Sequence, residues 1–167
     1  TQELVRGQSL GHRLRPKDSH ADLATKERCA LLAQVLRALD FLHARGVVHG
    51  DVKPSNLLVE DASERVVLLD FGVTRTLGSA GPDRRGSPVY MAPELIRGST
   101  VDGRADLYSL GVALYRLLSG RFPFDGSSTR DIFDAHLRGN FEPLDARHGK
   151  IRDWVHTLIA RDSRNRP

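Results

Sequence analysis

The segment Arg104–Ser119 constrains this chain more than any other. Leu107, Tyr108, Leu110, Val112, Leu114, Tyr115, Leu117 and Leu118 make it apolar nearly all round. A helix with that pattern must be buried on most sides, so other elements have to wrap it. Gly120 supplies its left-handed stop. A chain of 167 residues can bury roughly 70% of its unfolded surface around such a helix. An apolar content of 40% argues for a packed core and against disorder.

The wrapping elements can be read from periodicity. Leu32, Val35, Leu36, Leu39 and Leu42 recur at three- and four-residue steps and predict a long helix between Ala21 and Arg45. Ser19 or Asp22 can cap its start, and Gly46 stops it. Val47 and Val48 are a short extended piece. Two β-like runs, Leu57–Glu60 and Val66–Leu69, flank a polar turn and predict a small hairpin. Residues 1–8 read as the end of a strand entering a turn at Gly7, followed by a short helix over Ser9–Arg15 that Pro16 ends. Residues 72–88 lack periodicity and read as a long loop of the functional or mobile kind. Two amphipathic helices follow. One is capped near Ser127 and Ser128 and carries Ile132, Phe133 and Leu137; the other carries Ile151, Trp154, Val155, Leu158 and Ile159. The expected class is α+β, mainly α, with a short β-hairpin in the middle, forming one domain or the larger piece of a two-lobed one.

Several function classes fall away. The net charge is +4, but the basic residues are arginines apart from Lys17, Lys26, Lys53 and Lys150, and they are interleaved with acids. No basic stripe with aromatics forms, so no nucleic-acid partner is expected. No apolar run approaches the roughly 20 residues that span a bilayer, so no membrane contact is expected from this segment. The start shows no basic-then-apolar signal pattern, which makes the cytoplasm the default compartment, with anchoring left to segments outside this chain. A single cysteine, Cys29, excludes an internal disulfide framework and a cysteine-based zinc site. Its helical position reads as a small core residue.

The residues with chemical content lie between His49 and Glu94. The run His49-Gly50-Asp51-Val52-Lys53-Pro54-Ser55-Asn56 places Asp51, Lys53 and Asn56 on one loop, and Asp70-Phe71-Gly72 comes 14 residues after Asn56. Phosphoryl transfer needs positioning and charge compensation more than covalent help. An aspartate beside an acceptor hydroxyl orients it and takes its proton, while a lysine two residues on holds the transferring phosphate. An asparagine and a second aspartate are oxygen donors suited to Mg²⁺. Gly72 lets the backbone turn so that Asp70 points into the site.

This set, with Ala92-Pro93-Glu94 downstream, resembles the protein-kinase signature of catalytic loop, D-F-G and A-P-E. The resemblance covers essentially the whole chain and is to the C-terminal lobe of a eukaryotic-like Ser/Thr protein kinase. It implies a hinge at 1–8, a catalytic loop at 49–56 and an activation segment at 70–94. It implies ATP and Mg²⁺ as cofactors, with Mn²⁺ as an alternative ion, and a protein substrate bearing a Ser or Thr acceptor. Glu3 and Val5 would hold adenine through the hinge backbone, and Leu10 and Leu58 would sit against the ring. Asp51 and Lys53 would be catalytic, Lys53, Asn56 and Asp70 would hold the nucleotide, and Asn56 and Asp70 would ligate the metal. Ser87 would bond Asp51 and Lys53, within a segment that receives the residue after the acceptor. Asp106 would bond the backbone at His49-Gly50, and His49 would stack near Phe71. Glu94 and Arg166 would form a buried ion pair, of the kind that strands a charge if either partner is removed.

Two departures from the family pattern stand out. Gly50 occupies the place of the arginine that usually meets an activation-loop phosphate, so weak dependence on such phosphorylation is expected, with Arg75 a possible substitute cation. Thr74, Thr76 and Ser79 are candidate phosphosites in an exposed loop. The Gly-rich loop and phosphate-binding lysine of the N-terminal lobe are not in this sequence, so the fragment alone is expected to be poorly soluble and without appreciable catalysis. Arg84 and Arg85 can attract an acidic substrate or a phosphate, or simply be solvated. The alternative to an enzyme is a pseudokinase scaffold that binds partners without transfer; a small-molecule kinase of the same fold is a second enzyme reading.

Overall fold

In the computed structural model, which describes residues 6–14, 26–81 and 85–167, the chain forms eleven regular elements among the described residues. Strand β1 (Gly7–Ser9) runs into α1 (Leu10–Leu14), and α2 (Lys26–His43) leads to β2 (Val47–Val48). Strands β3 (Leu57–Glu60) and β4 (Val66–Leu68) form the hairpin, and β5 (Arg75–Thr76) follows. Helices α3 (Pro93–Arg97), α4 (Arg104–Ser119), α5 (Thr129–Arg138) and α6 (Gly149–Leu158) complete the chain.

Helix α4 is the axis. Ten of its sixteen residues, Ala105 to Tyr115 with the exception of Leu107, are buried. It packs on α6, on the 3₁₀ turn Pro88–Tyr90 and on a core that includes Leu32, Val35 and Leu39 of α2. The sheet order is β1-β3-β4, antiparallel throughout, with Ser9 opposite Leu58 and Leu57 opposite Leu68. The hairpin register keeps Leu57 and Val59 in the core. Gly120 and Gly139, both with positive φ, end α4 and α5, and the Ser128 hydroxyl caps α5 by accepting from Asp131 N at 3.2 Å.

Three expectations need correction, and one element goes beyond them. Gly7 is not a turn; it pairs with Glu60, because the open edge of β3 offers a ladder for the three residues of β1. The 72–88 segment is not a featureless loop. Arg75–Thr76 pairs with β2, Leu77 N donates to Gly46 O at 2.7 Å, and Gly78 N donates to Val101 O at 2.9 Å. Helix α3 was not legible, being only five residues long. Cys29 is exposed, because α2 turns that face outward while its Leu32/Val35/Leu39 stripe points inward. The proposed caps Ser19 and Asp22 lie outside the described residues. Among those described, no helix is long and apolar enough to cross a membrane.

Two polar clusters pin the helices together. Arg166 donates to both oxygens of Glu94, at 2.6 and 3.1 Å, and to the carbonyls of Ala160 and Arg104. This buried pair ties the last turn of the chain to α3 and the start of α4, and the guanidinium also lies 4.6 Å over the Tyr108 ring. In the second cluster Tyr108 donates its hydroxyl to His136 Nδ1 at 2.7 Å, and His136 packs on Phe124 with ring centroids 4.7 Å apart. Burial raises the Tyr108 hydroxyl well above its ordinary value, so it stays a donor.

His136 is fully buried and its Nε2 has no hydrogen-bond partner, the nearby Pro88 and Val89 backbone falling short of bonding geometry. Burial therefore pushes the imidazole down to about 4, an effect those backbone groups only partly oppose. The ring is neutral in the folded chain yet protonates near 6.5 when unfolded. Its stabilising contribution is thus complete above 6.5 and is lost as pH falls toward 4. Urea unfolding should show stability dropping by up to roughly 1.4 kcal/mol per pH unit across that window. His136→Phe should flatten this component; parallel profiles for parent and variant would contradict the assignment.

Candidate active site

The loop between β2 and β3 carries the candidate residues, and its shape is set from below by α4. Asp106, fully buried, accepts the His49 N–H on Oδ2 at 2.9 Å and the Gly50 N–H on Oδ1 at 2.8 Å. His43, from the end of α2, places Nε2 2.8 Å from the same Oδ2; a carboxylate only accepts, so this nitrogen carries the hydrogen. One carboxylate thereby gathers two consecutive backbone amides and a side chain from another helix.

His49 continues the network upward. Its Nε2 donates to Leu69 O at 3.0 Å, while Nδ1 accepts from Asp51 N at 3.2 Å. Its ring lies 5.2 Å from that of Phe71, centroid to centroid. His49 is thus a fully buried connector between the loop and the start of the Asp70 segment. Asn56 O accepts from Leu69 N at 2.8 Å, which sets Asp70 next to Asn56.

Asp51 is the point of convergence. Lys53 Nζ donates to Oδ2 at 2.6 Å and Asn56 Nδ2 to the same oxygen at 3.1 Å, while Ser87 N donates to Oδ1 at 2.9 Å. Lys53 Nζ also donates to Ser87 Oγ at 2.8 Å. Burial pulls the Asp51 carboxyl upward, but the Lys53 hydrogen bond, the Ser87 amide and the Lys53 charge outweigh it and hold it below the usual carboxylate value. It is ionised at neutral pH and acts as an acceptor. Gly86 makes the approach of Ser87 possible: its φ is +111°, and a Cβ there would sit 3.2 Å from Gly50 O and 3.4 Å from Asp51 Oδ1.

Asp70 has a left-handed backbone, φ 62°, one of the few such conformations outside glycine, and aspartate tolerates it better than most. Its side chain is exposed and, among the described residues, accepts only the Gly72 N–H, at 3.2 Å. Asn56 spends its amide N–H on Asp51, with a second bond to Asp51 O at 2.9 Å, so its contacts with Asp51 use the nitrogen and not the carbonyl oxygen. An amide oxygen and a carboxylate on adjacent turns are hard donors that fit a small divalent cation sharing its other positions with phosphate and water. Among the described residues no group of three or more His, Cys, Asp and Glu side chains is arranged to hold a metal, so the pair depends on such outside ligands.

The protein kinase domain model matches residues 1–167, the full sequence. The chain belongs to the protein kinase family. Among similar proteins, serine/threonine-protein kinase PknJ of Mycobacterium tuberculosis is 47% identical over 111 residues, covering 62% of this chain and 19% of PknJ. Serine/threonine-protein kinase pkn2 of Myxococcus xanthus is 34% identical over 183 residues, covering 99% of this chain and 21% of pkn2. PknB of Mycolicibacterium smegmatis is 34% identical over 148 residues, covering 84% and 24% respectively. This kinase chain therefore spans about a fifth of the length of the relatives it matches.

The structure brings Asp51, Lys53, Asn56 and Ser87 into one bonded cluster, with His49, Asp106 and the Asp70–Phe71–Gly72 turn behind and beside it. Glu3 and Val5 lie outside the described residues. Leu58 remains partly exposed, and Leu10 is 3% exposed and packs into the core from α1. The Ser79 hydroxyl is buried, so among the candidate phosphosites it is the least accessible, and Thr74 Oγ1 donates to Phe71 O at 3.0 Å. Arg84 lies outside the described residues, and Arg85 donates to Gly72 O at 3.4 Å. His43 was missed from sequence: nothing local marks a helix-end histidine as a partner of a residue 63 positions away.

Gly50 suits its backbone as well as departing from the family pattern. Its φ is +79°, and a Cβ would lie 2.9 Å from the Val73 carbonyl oxygen. Gly50→Ala should destabilise the chain by about 1–3 kcal/mol through left-handed strain and that contact. Thermal melting checks it; an unchanged midpoint would mean the loop adopts another backbone shape.

Proposed function

We propose that this chain is the C-terminal lobe of an ATP-dependent Ser/Thr protein kinase that transfers the γ-phosphoryl group to a Ser or Thr hydroxyl of a protein. The observation that carries the reading is the convergence of Lys53, Asn56 and Ser87 on the Asp51 carboxylate beside Asp70. Ionised Asp51 accepts a hydrogen bond from the acceptor hydroxyl and aims its oxygen at the γ-phosphorus. A new P–O bond forms there as the bond to the β–γ bridging oxygen breaks, and ADP leaves. Because its basicity is lowered, Asp51 contributes mainly orientation and takes the proton late. Lys53 neutralises charge on the transferring group, and Ser87 holds both side chains in register.

Asn56 and Asp70 would hold Mg²⁺, with Mn²⁺ as the substitute; the bound ion neutralises phosphate charge. Phe71, 49% exposed, and the partly exposed Leu58 leave an apolar surface above the site that fits a nucleotide's ring and a covering N-terminal lobe. The hinge at 1–8 and the activation segment at 70–94 complete this assignment. The chain alone is expected to turn over ATP poorly, since the other half of the phosphate clamp is supplied elsewhere in the full-length protein.

Transfer of radiolabelled phosphate by the full-length protein to a Ser/Thr-containing acceptor protein tests the reading. Asp51→Asn should lower kcat by about 10²–10⁴-fold with KM for ATP little changed. Asp70→Ala should abolish transfer and weaken metal-dependent nucleotide binding. Transfer at parental rates in both variants, or no transfer by the parent, would overturn it in favour of a scaffold.

A further inference from the structure

A cavity of about 640 Å³ opens beside the catalytic loop, between α1 and the end of α4. It shares two walls with the site: Ser55, in the turn between Lys53 and Asn56, and Tyr90, three residues beyond Ser87. The remaining polar lining comes from Ser9, His12 and Arg116, and among the described residues no carboxylate lines the cavity.

Arg116 is held in place without being neutralised. Its Nη1 donates to the Tyr90 hydroxyl at 3.2 Å, and its guanidinium lies 4.3 Å over the Phe122 ring. Phe122 in turn meets Tyr90 edge-on, with centroids 5.6 Å apart, and Tyr90 O accepts from the buried Ser109 hydroxyl at 2.8 Å. Both of these partners are uncharged, and among the described residues no carboxylate is bonded to Arg116. A planar guanidinium has five N–H donors, so one bond to Tyr90 leaves a fork for an incoming anion. The Ser9 and Ser55 hydroxyls and the His12 ring add neutral or cationic donors around it, and a cationic ligand would meet only repulsion from Arg116.

We propose that this cavity receives an anionic group of the protein substrate, a carboxylate or a phosphate, carried within a few residues of the acceptor hydroxyl. The proposal rests on the transfer reading above and adds a substrate class to it. Arg116 is the specificity-determining residue, since it is the cation that the Tyr90–Phe122 pair fixes at the cavity wall.

The test uses the full-length protein and synthetic peptides with one Thr acceptor, flanked in turn by Glu, phosphoserine, Ala or Arg. The parent should favour the Glu peptide over the Ala peptide in kcat/KM by about fivefold, the scale of a partly exposed ion pair, and disfavour the Arg peptide. A larger gain with phosphoserine assigns the cavity to phosphate, and a gain with Glu alone assigns it to carboxylate. Arg116→Glu should invert the Glu/Arg ratio. Should that variant fail to fold through loss of the Tyr90 contact, Ser55→Glu on the opposite wall should shift the same ratio in the same direction. Equal kcat/KM for Glu and Ala peptides in the parent, or a preference that survives these substitutions, overturns the proposal alone. No transfer to any peptide or protein overturns the transfer reading together with it.

Discussion

A carboxylate sits where the sequence is most apolar, and the geometry of the candidate site hangs from it. Asp106 lies in the first turn of α4, a helix otherwise buried among leucines, valines and tyrosines, and is itself fully buried. Such a group is costly in the core unless every oxygen is used. Here the amides of His49 and Gly50 and the ring of His43 satisfy it. The requirement works in both directions. Asp106 tolerates burial because the loop comes to it, and the loop is held because it has no better acceptor. Gly50 then turns through a left-handed conformation, which delivers Asp51 on the far side of the loop from the helix.

From that anchor the site is built by short-range bonds. His49 fixes the loop to Leu69, Asn56 fixes the hairpin end to the same residue, and Asp70 follows in a strained but tolerated turn. Ser87 arrives from a segment whose far end is secured by Glu94 and its buried bidentate partner Arg166. The ion pair and the Asp106 cluster both meet the first turns of α4, through the Arg104 carbonyl and the Asp106 carboxylate, so a single helix end references both halves of the site. The lowered basicity of Asp51 is a result of this convergence, with the Lys53 ammonium and the Ser87 amide outweighing the burial of the carboxyl.

Legibility in the sequence followed the range of the interaction. The buried helix, the hairpin, the Ser128 cap and the glycine stops rest on local periodicity and turn chemistry, and they came through with small boundary shifts. Strand β5 and helix α3 did not, because two- and five-residue elements depend on partners that no local pattern names. Cys29 was misassigned because residue type outweighed its place on the helix wheel. Asp51, Lys53, Asn56 and Asp70 stood out by spacing, whereas the roles of Asp106, Glu94 and Arg166 came only from resemblance, since a charge in an apolar run carries no sign of its distant partner.

The most direct measurement is kcat for phosphoryl transfer by full-length Asp106→Asn, with the fold verified by circular dichroism. An asparagine of the same shape keeps one acceptor oxygen and turns an N–H₂ toward a backbone amide that needs an acceptor. The catalytic loop should shift, and kcat should fall by about 10²-fold, the usual consequence of roughly 1 Å of misplacement at a reacting centre. Parental kcat in an intact fold would show that the loop holds its shape without this carboxylate and would contradict the account.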